Sequence, residues 1–102
     1  MSDVALRPLW DLVEAHREEI KAIVARHHGQ SVAVFGSVAR GDEQPGSDID
    51  FLVELEPEPR PFEILSIGVE LEEALGVKVD VGTPESLRER LRNEILAEAV
   101  PL

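Results

Sequence analysis

The sequence predicts an α/β (α+β) domain in which helices flank a small three-stranded sheet, in the order α-β-α-β-α-β-α. Apolar residues recur at helical spacing in two long stretches. Short apolar runs rich in valine and isoleucine alternate with them, and glycine or proline stands at most junctions. Alternation of this kind packs helices on a sheet. The 102 residues are enough for one domain, 1–102, with little left for a second substrate-binding lobe.

The first helix is expected over 7–28. Pro8 suits its first turn. Leu6, Leu9, Val13, Ile20 and Ile23 or Val24 share one stripe, and Glu14, Glu18, Glu19 and Lys21 lie off it. Gly29 is its expected stop. Residues 31–35 (SVAVF) form a buried strand, 36–41 a turn into a short helix, and 42–47 (DEQPGS) a polar loop with a Pro-Gly turn signal.

Residues 48–55 alternate. Ile49, Phe51, Val53 and Leu55 point to one face of a strand, and Asp48 and Asp50 to the other. Residues 56–61 hold three prolines, which remove sheet donors, so they form a loop. A second long helix covers 62–75 with Gly76 as its stop. Phe62, Leu65 and Val69 make one apolar stripe on it, and Ile64, Ile67, Leu71, Ala74 and Leu75 another. One stripe faces the sheet; the other meets a terminal helix of the same chain or another protein. Val77, Val79 and Val81 define a third strand with Lys78 and Asp80 on its opposite face. Thr83 as N-cap and Pro84 at the first helical position start a last helix, which Pro101 ends after about residue 99.

Composition narrows the function. Hydrophobic residues at 43% and charged residues at 30% fit a soluble globular protein. No apolar run reaches the roughly 20 residues of a membrane span, and residues 1–4 (MSDV) show no secretory signal. The absence of cysteine excludes disulfides and thiolate catalysis and is compatible with a reducing cytoplasm, the expected location. A net charge of −11 opposes tight binding to nucleic acid and favours a basic protein partner.

Asp48 and Asp50, two apart on a strand, carry carboxylates that repel each other unless a cation lies between them. Oxygen-only donors suit a hard divalent ion. Asp80 repeats the pattern on another strand, so three acids converge on one edge of a sheet, as in-line displacement at phosphorus with one or two Mg²⁺ ions requires. Gly36-Ser37 follows a buried strand: the glycine admits close approach of a ligand, the start of the following helix offers N–H groups to a phosphate, and Ser37 adds a hydroxyl. Arg40 either neutralises a triphosphate or pairs with Asp42, Asp48 or Asp50. Lys78 is placed to salt-bridge to the Asp80 site, and Ser47 to cap the loop or touch nucleotide. His16, His27 and His28 show no metal-ligand pattern.

Phe35-Gly36-Ser37, a ten-residue spacer and Asp48-Ile49-Asp50-Phe51 resemble the signature of the polymerase-β-like nucleotidyltransferases. Gly36–Gly41 with Ser47-Asp48-Ile49-Asp50, Val79-Asp80-Val81 with Thr83–Leu87, and the stretch from Glu94 to Leu102 resemble the minimal nucleotidyltransferase family in particular. The resemblance implies a mixed sheet of the nucleotidyltransferase fold. It implies that Asp48 and Asp50 hold the metal carrying an ATP triphosphate. With Asp80 they hold a second Mg²⁺ (or Mn²⁺) that lowers the pKa of the acceptor hydroxyl. Gly36 and Ser37 grip the β/γ-phosphates, with Arg40 and Ser47 nearby.

Members of that family are typically antitoxins paired with an all-helical HEPN-family ribonuclease toxin. The resemblance therefore implies a hetero-oligomer in which AMP passes from Mg-ATP to a toxin tyrosine. Two other functions stay open: an antitoxin that neutralises by binding alone, and a transferase with a small-molecule or RNA acceptor. The chain contains no tyrosine, so the acceptor is not its own.

Overall fold

A computed structural model of the chain describes residues 7–57 and 62–102. Leu6, the expectation for residues 1–4 and the 58–61 part of the proline-rich loop fall outside the described residues. Two helices, not one, open the described chain: α1 (Pro8–Ala15) and α2 (Arg17–Arg26). The break is at His16 (φ −113°, ψ 19°), whose Nδ1 lies 3.0 Å from the Leu12 carbonyl oxygen. Val13, Ile20, Ile23 and Val24 are buried on both sides of it, so the apolar period runs through a break that it cannot reveal. His28, rather than Gly29, takes the left-handed backbone (φ 65°). Gly29 instead opens β1 (Gly29–Phe35), where a Cβ would collide with Val24.

Next come α3 (Gly36–Arg40), closed by Gly41 at φ 83°, and β2 (Ile49–Leu55), which begins one residue after Asp48. Then follow α4 (Glu63–Leu75), closed by Gly76 at φ 72°, and β3 (Val79–Gly82), which starts two residues later than Val77. Thr83 does act as an N-cap: its Oγ1 accepts the Ser86 N–H at 3.2 Å, and Ser86 Oγ accepts the Thr83 N–H at 3.0 Å. The cap closes only a single 3₁₀ turn (Pro84–Ser86), because Leu87 and Arg88 are extended; α5 (Glu89–Glu98) starts after them. Pro101 does not merely end that helix. With Val100 it forms β4 (Val100–Pro101).

Among the described residues the sheet therefore has four strands, not three, in the order β3-β2-β1-β4. It is mixed: β1 is antiparallel to β2 and to β4, and β2 is parallel to β3. A two-residue strand carries no readable period, and proline is tolerated there because β4 is an edge.

One face of the sheet carries the core. Val32, Val34, Ile49, Phe51 and Val53 pack against Val13, Ile20, Ile23 and Val24 of the first two helices, Val38 of α3, and Ile67, Leu71 and Leu75 of α4. Phe51 is fully buried, and truncating such a side chain costs about 3–5 kcal/mol. By alternation, Phe35, Asp50, Leu52 and Asp80 lie on the other face. On α4 the Ile67-Leu71-Leu75 stripe faces the core, whereas Phe62 (75%), Leu65 (67%) and Val69 (50%) stay exposed. No helix among the described residues is long and apolar enough to cross a membrane.

Candidate active site

Strand register sets the site. Asp50 is the Cα partner of Phe35 across the antiparallel ladder and of Asp80 across the parallel one. Adjacent strands lie about 4.8 Å apart, so the Asp50 and Asp80 carboxylates are neighbours on the open face. Asp48 precedes β2 on the same side and is exposed, as is Asp80; Asp50 is half-buried. Burial pushes the Asp50 carboxyl up from 3.8 to about 6, helped by the charges of Asp80 and Asp48; Arg40 opposes the rise and Glu98 adds to it.

These acids offer only carboxylate oxygens, and their mutual repulsion is what a divalent cation relieves. The donor chemistry fits Mg²⁺. Among the described residues, no three acidic or histidine side chains already converge into a ligand group, so binding such an ion requires the aspartate side chains to draw together.

The glycine-serine turn abuts these acids. Gly36 has φ 74°, and a Cβ built there would overlap the Asp50 carboxylate. Glycine is thus required twice, for the left-handed backbone and for the room Asp50 takes. The Gly36 N–H donates to Glu98 Oε1 at 3.3 Å. The Ser37 carbonyl accepts the Gly41 and Asp42 N–H groups, each at 3.0 Å, which ties the turn to the following loop.

Arg40 donates from Nε to Asp42 Oδ2 at 3.3 Å and from Nη1 to both Glu98 oxygens at 3.2 and 3.3 Å. Ser47 Oγ accepts the Gln44 N–H at 2.8 Å, a bond internal to the loop. Lys78 is exposed and lines a hollow with Asp48, Pro45, Leu9 and Val77. His27 lies away from the acids, held between Glu70 and Glu63.

Glu98 is the residue that sequence reasoning missed. It stands 62 positions from Gly36 on a charged, exposed helix, so no local signal marks it. Its place follows from β4: the register pairs Val34 with Val100, and two steps further along the same antiparallel register Gly36 meets Glu98.

A model of the nucleotidyltransferase domain matches residues 13–102. The chain belongs to the nucleotidyltransferase domain family. It is 30% identical over 100 residues, 98% of each chain, to the protein adenylyltransferase MntA of Thermococcus cleftensis. A solved structure of a candidate minimal nucleotidyltransferase superposes with a TM-score of 0.82 at 40% identity, covering 91% of this chain and 95% of the other.

A chain of the complex between the tri-AMPylated Shewanella oneidensis HEPN toxin and an MNT antitoxin shares the fold. Its TM-score is 0.65 at 18% identity, over 86% of this chain and 69% of that one. The minimal nucleotidyltransferase described here is thus an enzyme whose matched span, from Val13 onward, holds every strand of the sheet and every acid of the site.

Proposed function

We propose that this nucleotidyltransferase is an antitoxin that transfers AMP from Mg-ATP to a tyrosine hydroxyl of a HEPN-family ribonuclease partner. The observation that carries the reading is the facing pair Asp50 and Asp80 beside the Gly36 turn. Asp48, Asp50 and Asp80 would hold a divalent ion, which would neutralise the triphosphate and lower the pKa of the acceptor hydroxyl. Gly36 and Ser37, with Arg40, bind the β/γ-phosphates and orient the α-phosphorus. The acceptor oxygen forms a bond to that phosphorus as the bond to pyrophosphate breaks, and the hydroxyl proton passes to solvent.

The chain must receive its acceptor from outside, and the exposed face of α4 is suitably placed. Leu65 and Val69 line a shallow groove with Val79, Asp80 and Val81, so an apolar contact on α4 brings a partner's hydroxyl to Asp80. The net charge of −11 favours a partner with a basic rim. The relatives' adenylyltransferase name and the toxin–antitoxin complex of the same fold support this partner class.

Intact-mass spectrometry of a HEPN-type ribonuclease that co-purifies with this chain tests the reading, after incubation with the chain, ATP and Mg²⁺. The expected result is a gain of one or more adenylyl units, absent with Asp48→Asn. A stable complex with no mass gain would instead assign neutralisation to binding alone.

A further inference from the structure

The donors assigned to the triphosphate are already engaged. The Gly36 N–H and both Arg40 Nη1 bonds converge on the Glu98 carboxylate, at 3.3 Å and at 3.2 and 3.3 Å. Glu98 is mostly buried, with 28% of its side chain exposed. A carboxylate presents two oxygens to donors much as the edge of a phosphate does.

This placement is electrostatically unfavourable on its own, because the charge of Glu98 adds to those of Asp50, Asp48 and Asp80. Among the described residues, Gly36 and Arg40 are the donors that hold it there. Arg40 retains a second acid, Asp42, at 3.3 Å, so it stays beside the turn when Glu98 leaves.

We propose that Glu98 is the resting occupant of the phosphate cradle and sets the apparent affinity for the triphosphate. A triphosphate carrying a divalent cation displaces it from Gly36 and Arg40, whereas AMP, which carries no β- or γ-phosphate, leaves it in place. This rests on the reading of Gly36, Ser37 and Arg40 as the phosphate site.

Release needs little rearrangement. Glu98 is the last residue of α5, directly before Ala99 and the two-residue strand β4. Rotation of one side chain therefore frees both donors without unpairing the sheet. The triphosphate would also bring its own oxygen donors to the divalent ion, so nucleotide entry and metal acquisition favour each other.

The alternative role for Glu98 is to steer Arg40 toward the phosphates, and the two roles predict opposite signs. Isothermal titration of the full chain with a non-hydrolysable Mg–ATP analogue, and separately with AMP, distinguishes them in wild type, Glu98→Gln and Glu98→Asp. Glu98→Gln keeps the shape and removes the charge; Glu98→Asp keeps the charge on an arm too short to reach both donors. If the resting contact is populated about nine to one, removing it tightens apparent affinity roughly tenfold.

Both variants are expected to bind the analogue about 3- to 10-fold more tightly than wild type. AMP, which has no β- or γ-phosphate to enter the cradle, is expected to bind unchanged, so the preference for triphosphate over monophosphate widens, which a purely structural role would not produce. Equal or weaker binding in both variants, with the wild type binding normally, overturns the role of Glu98 and leaves the transferase reading intact. Failure of wild type and both variants alike to bind nucleotide overturns the two together.

Discussion

Replacing Asp50 by asparagine is expected to stabilise the fold while removing the proposed metal site. Its carboxyl is raised from 3.8 to about 6, first by burial, then by Asp80 and Asp48. Between those two pH values the folded protein keeps a proton that the unfolded chain has lost. Stability therefore falls as pH rises through that window and remains lower above it. The displacement corresponds to about 3 kcal/mol between the protonation states. Asp50 is only half-buried, so solvent screening reduces this to about 1–2 kcal/mol.

An asparagine side chain has the same shape and no charge, so Asp50→Asn is expected to gain about 1–2 kcal/mol at pH 7.5. At about 4–8 °C per kcal/mol for a chain of this size, calorimetry in EDTA resolves the difference. The gain should mostly disappear at pH 4, where wild-type Asp50 is itself protonated. Added Mg²⁺ should raise the Tm of wild type and not of the variant. An unchanged or lower Tm for Asp50→Asn at pH 7.5, or an equal gain at pH 4, would refute the electrostatic account of the site.

Three further outcomes follow from the geometry. Gly36→Ala places a side chain at φ 74° and against Asp50; it is expected to lose about 1–2 kcal/mol from the backbone alone, read as a lower denaturant midpoint, together with nucleotide binding. Leu65→Glu changes an exposed position (67%), so stability should stay within about 0.5 kcal/mol while co-purification with the proposed HEPN-type partner is lost. His27 is held above its usual pKa of 6.5, chiefly by Glu70 and also by Glu63, with burial opposing. Its contribution is complete below about pH 6.5 and is lost as pH rises through its folded pKa. The Tm difference between wild type and His27→Gln should accordingly be larger at pH 6 than at pH 9.

What was legible in the sequence was whatever a short-range period encodes. Alternation alone put Ile49, Phe51 and Val53 inside and Asp50 outside, and the same rule gave Val79 and Val81 against Asp80. Helical spacing correctly divided α4 into an inward and an outward stripe. The departures have local causes that periods cannot carry. A one-residue kink at His16 leaves the apolar phase intact, Thr83 caps a turn too short to be a helix, and β4 has only two residues. Register was the larger gap. Nothing in the sequence near Gly36 specifies that Asp50 pairs with Asp80, or that Glu98 arrives from 62 residues away; both depend on which strands become neighbours.

The core is what fixes that register, so the buried face of the sheet controls the chemistry of the other. In β2, fully buried Ile49, Phe51 and Val53 flank Asp50 and Leu52. A slip of one residue would turn Phe51 to the open face and bury Asp50 among valines, a change the hydrophobic effect forbids. The same lock holds Asp50 beside Asp80 despite their repulsion, and against Gly36, where no other residue leaves room. A core substitution that loosens β2, such as Phe51→Ala, should therefore impair metal-dependent nucleotide binding as well as stability, although Phe51 lies on the face away from the site.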